Sequence, residues 1–230
     1  MSGDASGDVR SIGIIGAGTA GVAIARRALA AGHRVHIATS GPARRTGLVT
    51  RVLLTGAVPV NAEELPAVSD VIFVCVPLRH WRTLPTDGWQ GRIVVDAMNY
   101  WPPVDGVLPE FEHADLSTSE VVRAGWPSSI RLVKTLNHIG YHDIEERARP
   151  AGAPDRIALG VAGDDRAAVA TMAAIVDDLG FDPVDIGPLA VGAALEPARE
   201  LFGALLGRDD FRAALQETPE QLAASRARRP

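Results

Sequence analysis

The sequence predicts an α/β fold: a doubly wound, mostly parallel sheet with helices on both faces and a small C-terminal α/β extension. Three observations carry this. Short apolar runs, of which Val71–Val76 is the clearest, alternate with helical stretches, and that alternation makes parallel sheets. The first run leads through Gly16-Ala17-Gly18-Thr19-Ala20-Gly21 straight into a helical stretch. The chain has 230 residues, 47% of them hydrophobic and 22% charged, which suffices for a core without disulfide or zinc staples.

In chain order, Val9–Ile15 reads as a buried strand, and Gly18–Ala31 as a helix stopped by Gly32. Val35–Ala38 is a second strand, and Pro42 sits in the first turn of a helix that runs to Gly56. Ala57–Val60 is a short third strand, after which Asn61 caps a brief turn carrying Glu63 and Glu64. Val71–Val76 is apolar throughout, as a strand buried on both faces must be. One or two helical turns over Leu78–Leu84 and the strand Ile93–Asp96 follow, and the Pro-rich stretch Asn99–Phe111 reads as irregular. Ser117-Thr118-Ser119-Glu120 is a capping-box pattern and predicts a helix over Ser119–Ala124. Ile130–Leu136 is a strand and Asp143–Arg149 a short helix stopped by Pro150. The strand Ile157–Ala162, the helix Asp164–Leu179, the strand Phe181–Ile186 and a final helix over Leu189–Leu206 complete the pattern. The expected organisation is a tail over 1–8, a dinucleotide-binding domain over 9–150, an extension over 151–207 that completes a second pocket, and a tail over 208–230.

Composition excludes several function classes. The net charge of −5 leaves no basic surplus for a broad nucleic-acid footprint. The longest apolar β-like run is too short to span a membrane as a helix, and the acidic, polar start is not a secretory signal. Cys75 is the one cysteine and sits within an apolar strand, so it reads as an inert core thiol. These features predict a cytoplasmic protein. Of 23 basic residues 22 are arginine, and Lys134 is the one lysine.

Ligands of such sheets bind at the carboxyl ends of the strands. Gly16-Ala17-Gly18-Thr19-Ala20-Gly21 is a G-x-G-x-x-G loop between strand and helix, the dinucleotide-binding arrangement of a Rossmann-type fold. The helix N-terminus there suits a pyrophosphate. The cofactor is selected at the end of the second strand, where an NAD site places a carboxylate on the ribose 2′-hydroxyl. This chain has Thr39-Ser40-Gly41-Pro42-Ala43-Arg44-Arg45 instead. Hydroxyls and guanidiniums suit a 2′-phosphate, so NADP(H) is expected, held by Thr39, Ser40, Arg44 and Arg45.

With these motifs in order, the sequence resembles the NADP oxidoreductases that use coenzyme F420, a deazaflavin. The glycine loop, Thr39-Ser40, Val74-Cys75-Val76-Pro77 and Val94-Val95-Asp96-Ala97-Met98-Asn99 carry the resemblance. So do Val133-Lys134-Thr135-Leu136-Asn137, Ala162-Gly163-Asp164-Asp165 and Asp185-Ile186-Gly187-Pro188-Leu189. The resemblance implies hydride exchange between NADP(H) and the C5 carbon of the deazaflavin. It places the nicotinamide over Val76, Pro77, Leu78, Met98, Asn99, Asn137, His138 and Ile139, with Asn137 fixing one ring and His138 lining the pocket. Gly41-Pro42 stands where family members often carry arginine, so the 2′-phosphate role passes to Arg44 or Arg45.

Alternatives stay open at this point. Tyr141 or His142 could protonate an imine or carbonyl substrate in an NADPH-dependent reductase of the same fold. Reduction of a flavin-bound metal is a third possibility, and a non-catalytic NADP(H) sensor a fourth. Tyr100 and Trp101 form either a cofactor wall or a packed surface loop. His138 and His142 have the spacing of metal ligands only if both lie on one helix, which Gly140 opposes, so no metal is expected. The apolar residues of Leu189–Leu206 exceed what one domain edge covers and predict a homodimer.

Overall fold

The computed structural model describes residues 10–112 and 116–216. They build an eight-stranded sheet of β1 (Ser11–Ile15), β2 (Arg34–Ala38), β3 (Val58–Pro59), β4 (Val71–Val74), β5 (Ile93–Asp96), β6 (Arg131–Lys134), β7 (Ala158–Gly163) and β8 (Asp182–Gly187). Its order is β3-β2-β1-β4-β5-β6-β7-β8. Every neighbouring pair is parallel except β6 and β7, which pair antiparallel through Val133↔Gly163 and Lys134↔Ala162. The expected C-terminal extension therefore continues the same sheet. The helices are α1 (Thr19–Ala30), α2 (Ala43–Leu53), α3 (Leu65–Val68), α4 (Pro102–Asp105), α5 (Pro109–Glu112), α6 (Thr118–Gly125), α7 (Tyr141–Glu146) and α8 (Arg166–Asp178). Among the described residues no helix is long and apolar enough to cross a membrane.

β1, β4 and β5 are buried along their whole length because successive side chains feed two different cores. Ile12, Ile14, Phe73 and Val95 pack with Val22 and Ile24 of α1 and Met172 and Ile175 of α8. Ile15, Ile72, Val74 and Val94 point the other way, onto Leu65, Trp81, Val122 and Trp126. Each such side chain contributes roughly 1.5–3 kcal/mol on leaving water. The capping box forms as its spacing predicts: Ser117 Oγ accepts from Glu120 N at 3.2 Å, and Glu120 Oε2 accepts from Ser117 N at 2.7 Å.

Three regions differ from the sequence reading. Asn99–Phe111 holds two helical turns, α4 and α5, which start on proline pairs or single prolines that pre-set the helical φ. Tyr141–Glu146 is helical, two residues before the start expected at Asp143, with Gly140 as its N-cap.

The third region is the C-terminus. The expected helix over Leu189–Leu206 is a 3-10 helix over Leu189–Leu195, followed by turns. Gly192 within it and Pro197 after it oppose a continuous α-helix. Its leucines are used internally: Leu189, Leu195 and Leu201 are buried within the chain. The chain itself thus covers part of the apolar surplus that argues for a dimer, while Leu205 stays exposed. Residues 208–216, expected as the start of a tail, are helical and bury Phe211 completely. Phe211 joins Ala158, Val184, Leu195 and Leu201 in a third core and lies 5.9 Å from the ring of His138.

His138 is therefore a core residue. It is 1% exposed, Nε2 accepts from Gly160 N at 3.3 Å, and burial with the nearby Lys134 charge lowers its pKa to about 3. The reading that places His138 on the pocket wall is corrected here: β7 and Phe211 cover the ring.

Two measurements follow from this packing. Phe211→Ala should lower the free energy of unfolding by about 3–5 kcal/mol, read from urea denaturation, because a buried aromatic leaves a cavity. A solvent-exposed tail would show almost no change. The second concerns pH. The unfolded chain protonates His138 near pH 6.5, while the folded chain keeps it neutral down to about 3. Its contribution is present in full above pH 6.5 and is lost as pH falls toward 3. Burial also lowers the pKa values of His33 and His36, which act with the same sign. Between pH 7 and pH 5 the variant His138→Met should lose about 2 kcal/mol less stability than the parent protein.

Candidate active site

Because β1 through β6 are parallel, the loops after β1, β2, β4, β5 and β6 all open at one edge of the sheet. The first loop is forced into shape by close backbone approach. Gly16 has φ +113°, and a Cβ on it would lie 2.3 Å from Cys75 O. A Cβ on Gly21 would lie 1.9 Å from Gly16 O. By contrast, a Cβ on Gly18 would meet nothing within 4 Å. Gly18 is the N-cap of α1 and is open on the side where a pyrophosphate is expected. Thr19 and Ala20 open the helix, and no acidic residue sits in its first turn.

This loop forms one wall of a cleft of about 660 Å³. Gly16 and Ala17 line it with Thr39, Ser40, Gly41 and Pro42 from the end of β2, and Val76 and Pro77 from the end of β4. The glycine loop, the β2 end and the β4 end thus meet at one cleft. Thr39 Oγ1 contacts Thr46 Oγ1 at 2.8 Å and accepts from Gly41 N at 3.3 Å, which folds the loop over α2. The two arginines separate. Arg44 lines a different groove with Gly47, Thr50 and Pro59. The Arg45 stem lies over Gly41, its Cδ 3.4 Å from where a Cβ would sit.

Asn61, Glu63 and His80 are among the cleft residues that sequence reasoning missed. Asn61 was read only as a helix cap, and it does stand before the turn whose Glu64 carboxylate accepts from its N–H at 2.7 Å. Its Oδ1 also accepts from Ala43 N at 2.9 Å, joining the cleft wall to the first turn of α2. A contact across 18 residues leaves no local signal. Glu63 is the cleft's carboxylate, and it stands on the turn after β3 rather than at the end of β2.

At the ends of β5 and β6 the arrangement is reciprocal. Asn99 Nδ2 donates to Asn137 O at 2.6 Å, and Asn137 Nδ2 donates to Asn99 Oδ1 at 3.0 Å and to Leu195 O at 2.6 Å. Asn137 Oδ1 is buried with no partner among the described residues. The preceding Leu136 holds φ +61°, a strained value for a branched side chain. Such strain persists where the surroundings over-determine the backbone, as at ligand sites. Met98 and Ile139, read as cofactor contacts, have their side chains in the two main cores.

The remaining groups define what chemistry is at hand. Burial, with Asp96 nearby, pushes the Cys75 thiol up to about 12, so it is not a nucleophile near neutrality. Tyr141 and His142 stack at 4.2 Å and are both exposed. Since α7 begins at Tyr141, His138 and His142 do not share a helix. Among the described residues no group of three or more His, Cys, Asp or Glu side chains is placed to hold a metal. Tyr100 is tied down: its hydroxyl donates to Glu112 Oε1 at 2.7 Å and accepts from Leu108 N at 3.0 Å, and its ring packs on Phe111. Trp101 beside it is half exposed.

Comparison with known proteins agrees with this geometry. Residues 11–100 match the family model described as NADP oxidoreductase, coenzyme F420-dependent. Metalloreductase STEAP3 of Rattus norvegicus is 28% identical over 187 residues, which are 80% of this chain and 35% of that protein. The chain thus spans about a third of the length of that curated relative. The solved structure of a hypothetical protein from Sinorhizobium meliloti is 29% identical, with a TM-score of 0.73 over 87% of this chain and 97% of that one. A structure described as an F420-dependent NADP-reductase from Arthrobacter sp. FB24 has a TM-score of 0.66 at 22% identity, covering 84% and 90%, a likeness of fold. Residues 11–100, the stretch that matches the model described as NADP oxidoreductase, coenzyme F420-dependent, hold the glycine loop and the cleft.

Proposed function

We propose that the protein transfers a hydride between NADP(H) and the deazaflavin coenzyme F420. The observation that supports this most is the Asn99–Asn137 pair at the strand ends, a polar platform held by reciprocal amide hydrogen bonds. Ring-to-ring hydride transfer needs aligned rings and little proton chemistry. Reduction of an imine or carbonyl needs a positioned acid. His138, Cys75 and Lys134 are all withdrawn from that task by burial or depressed acidity.

NADP(H) supplies the hydride when bound. The residues that would hold it are those of the cleft. Gly16, Ala17 and Gly18 give way to the pyrophosphate at the α1 N-terminus. Thr39 and Ser40 receive the ribose end, and Arg45 carries the 2′-phosphate with a charge-assisted contact. Val76 and Pro77 form the apolar floor. Asn137, with its free Oδ1, accepts from a carboxamide N–H and keeps the ring from turning. Half-exposed Trp101 offers a flat apolar face for a tricyclic ring. The 28% identity to rat Metalloreductase STEAP3 favours one second reading, reduction of a metal substrate through a bound flavin, which asks the same platform for the same alignment.

Arg45→Ala should weaken NADPH binding by about one to two decades and leave NADH nearly unchanged, since a charged hydrogen bond contributes about 1.5–3 kcal/mol. Arg44→Ala should change the NADPH constant by less than threefold (about 0.6 kcal/mol). Equal effects of the two variants, measured by calorimetric titration, would remove the assignment to Arg45.

The reaction itself is tested spectrophotometrically, with NADPH and purified F420 beside free flavins, ferric chelates and a panel of imines and carbonyls. The expected result is NADPH-dependent bleaching of the deazaflavin, with a rate that varies little between pH 6 and 8. Turnover with an imine alone, on a bell-shaped profile lost in Tyr141→Phe, would replace the hydride-shuttle reading.

A further inference from the structure

The one lysine of the chain lies out of reach of solvent. Lys134 ends β6, Asp96 ends β5, the two are direct register partners, and both side chains are 0% exposed. Lys134 Nζ is 3.2 Å from Asp96 Oδ2 and donates to Met98 O at 2.6 Å. Asp96 Oδ1 accepts from Met98 N at 2.9 Å, and Ser119 Oγ donates to Asp96 Oδ2 at 2.6 Å. On the other side the backbone of Gly192 lies against the lysine stem, where a Cβ would come within 3.2 Å of Lys134 Cβ and Cγ.

Stability alone does not account for this pair. Apolar side chains of the same volume stabilise a core as well or better than a buried ion pair. Lysine is also the exception in a chain that uses arginine 22 times among 23 basic residues. A compact ammonium can serve a carboxylate and a carbonyl at once, where a planar fork would need a wider space. The contact it makes is specific in place: Met98 is held at N by Asp96 and at O by Lys134, and Asn99, the partner of Asn137, follows directly.

We propose that Lys134 is a positioning residue for hydride transfer, fixing the Met98 backbone with Asp96 so that the Asn99–Asn137 platform holds the nicotinamide ring in one orientation. This rests on the function proposed above for the same site. Lys134 touches neither the cofactor nor the acceptor and moves no proton. Its hydrogen bond reaches the site through Met98 and Asn99, so it acts on the ring end of the nucleotide and not on the adenosine end, which the residues of the cleft hold.

The test uses the full-length protein. Lys134→Met by itself strands a buried carboxylate, so the informative variant is Lys134→Met with Asp96→Asn, which keeps an acceptor for Met98 N. Lys134→Arg, which keeps the charge and changes the shape of the donor, is read in the same way should the double variant fail to fold. Three quantities are measured: affinity for 2′,5′-ADP, which lacks the nicotinamide; fluorescence anisotropy of bound NADPH; and single-turnover hydride transfer to F420. The expected outcome is 2′,5′-ADP affinity within twofold of the parent, a clear fall in the anisotropy of the bound dihydronicotinamide, and a 10- to 100-fold slower transfer. Folded variants that keep the parental anisotropy and rate would overturn the proposal, as would a parallel loss of 2′,5′-ADP affinity. The anisotropy needs no second substrate. If the parent protein does not reduce F420 and the variant still frees the ring, the substrate reading falls and the positioning role stands.

Discussion

The close approach of three backbone segments at the first loop is the constraint on which the site depends. With a Cβ on Gly21 only 1.9 Å from Gly16 O, and one on Gly16 only 2.3 Å from Cys75 O, β1, α1 and β4 sit nearer than any side chain allows. That proximity fixes the N-terminus of α1 against the end of β4. It brings Ala17 and Pro77 to facing walls of one cleft. The same approach sets the depth at which α1 packs on Ile12 and Ile14, so core and cleft are two results of one contact. A side chain at either glycine would separate them and spoil both, because densely packed interiors do not yield locally.

The sheet was legible because its strands announce themselves. Val71–Val74 and Ile93–Val95 are short apolar runs bounded by Pro77 or Gly91, the composition of strands buried on both faces. The glycine loop and the Ser117–Glu120 box were legible because their bonds close within a few residues. The C-terminal stretch misled for a related reason. Leu189, Leu195 and Leu201 look like parts of one helix in isolation, but Leu195 and Leu201 pack with Ala158 and Val184 by way of turns, while Leu189 joins the core of Trp81, Val122 and Trp126. Apolar content reports that a residue is buried, while glycine and proline decide by which backbone path.

The polar residues of the site show the limit more sharply. Asn137 and His138 are adjacent and equally plausible as ligand contacts in a sequence. The left-handed Leu136 turns the chain so that Asn137 meets Asn99, while His138 turns under β7 toward Phe211. Nothing in the residue types distinguishes the two outcomes. Arg44 and Arg45 divide in the same manner, one step around the first turn of α2, with Arg45 over Gly41 and Arg44 on the opposite groove. Pattern identifies the loop that carries a function. The half-turn of backbone that selects one neighbour over another is set by tertiary contacts.

The extension past Gly140 has its meaning in this light. Asn137 donates to Leu195 O, Gly203 N donates to His138 O, and Glu196 accepts from both Thr118 N and Thr118 Oγ at 2.7 and 2.9 Å. These bonds tie the segment after β8 to the ends of β5 and β6 from outside, as Asp96 and Lys134 tie them from within. Hydride transfer is sensitive to alignment on the scale of an ångström, and a loop held on one side alone would drift by that much. A parallel sheet provides strand ends at one edge and nothing to fix them relative to each other. The connection from β6 through α7 into the antiparallel β7 brings the chain back over that edge, and the C-terminal segment then acts as the second half of the clamp.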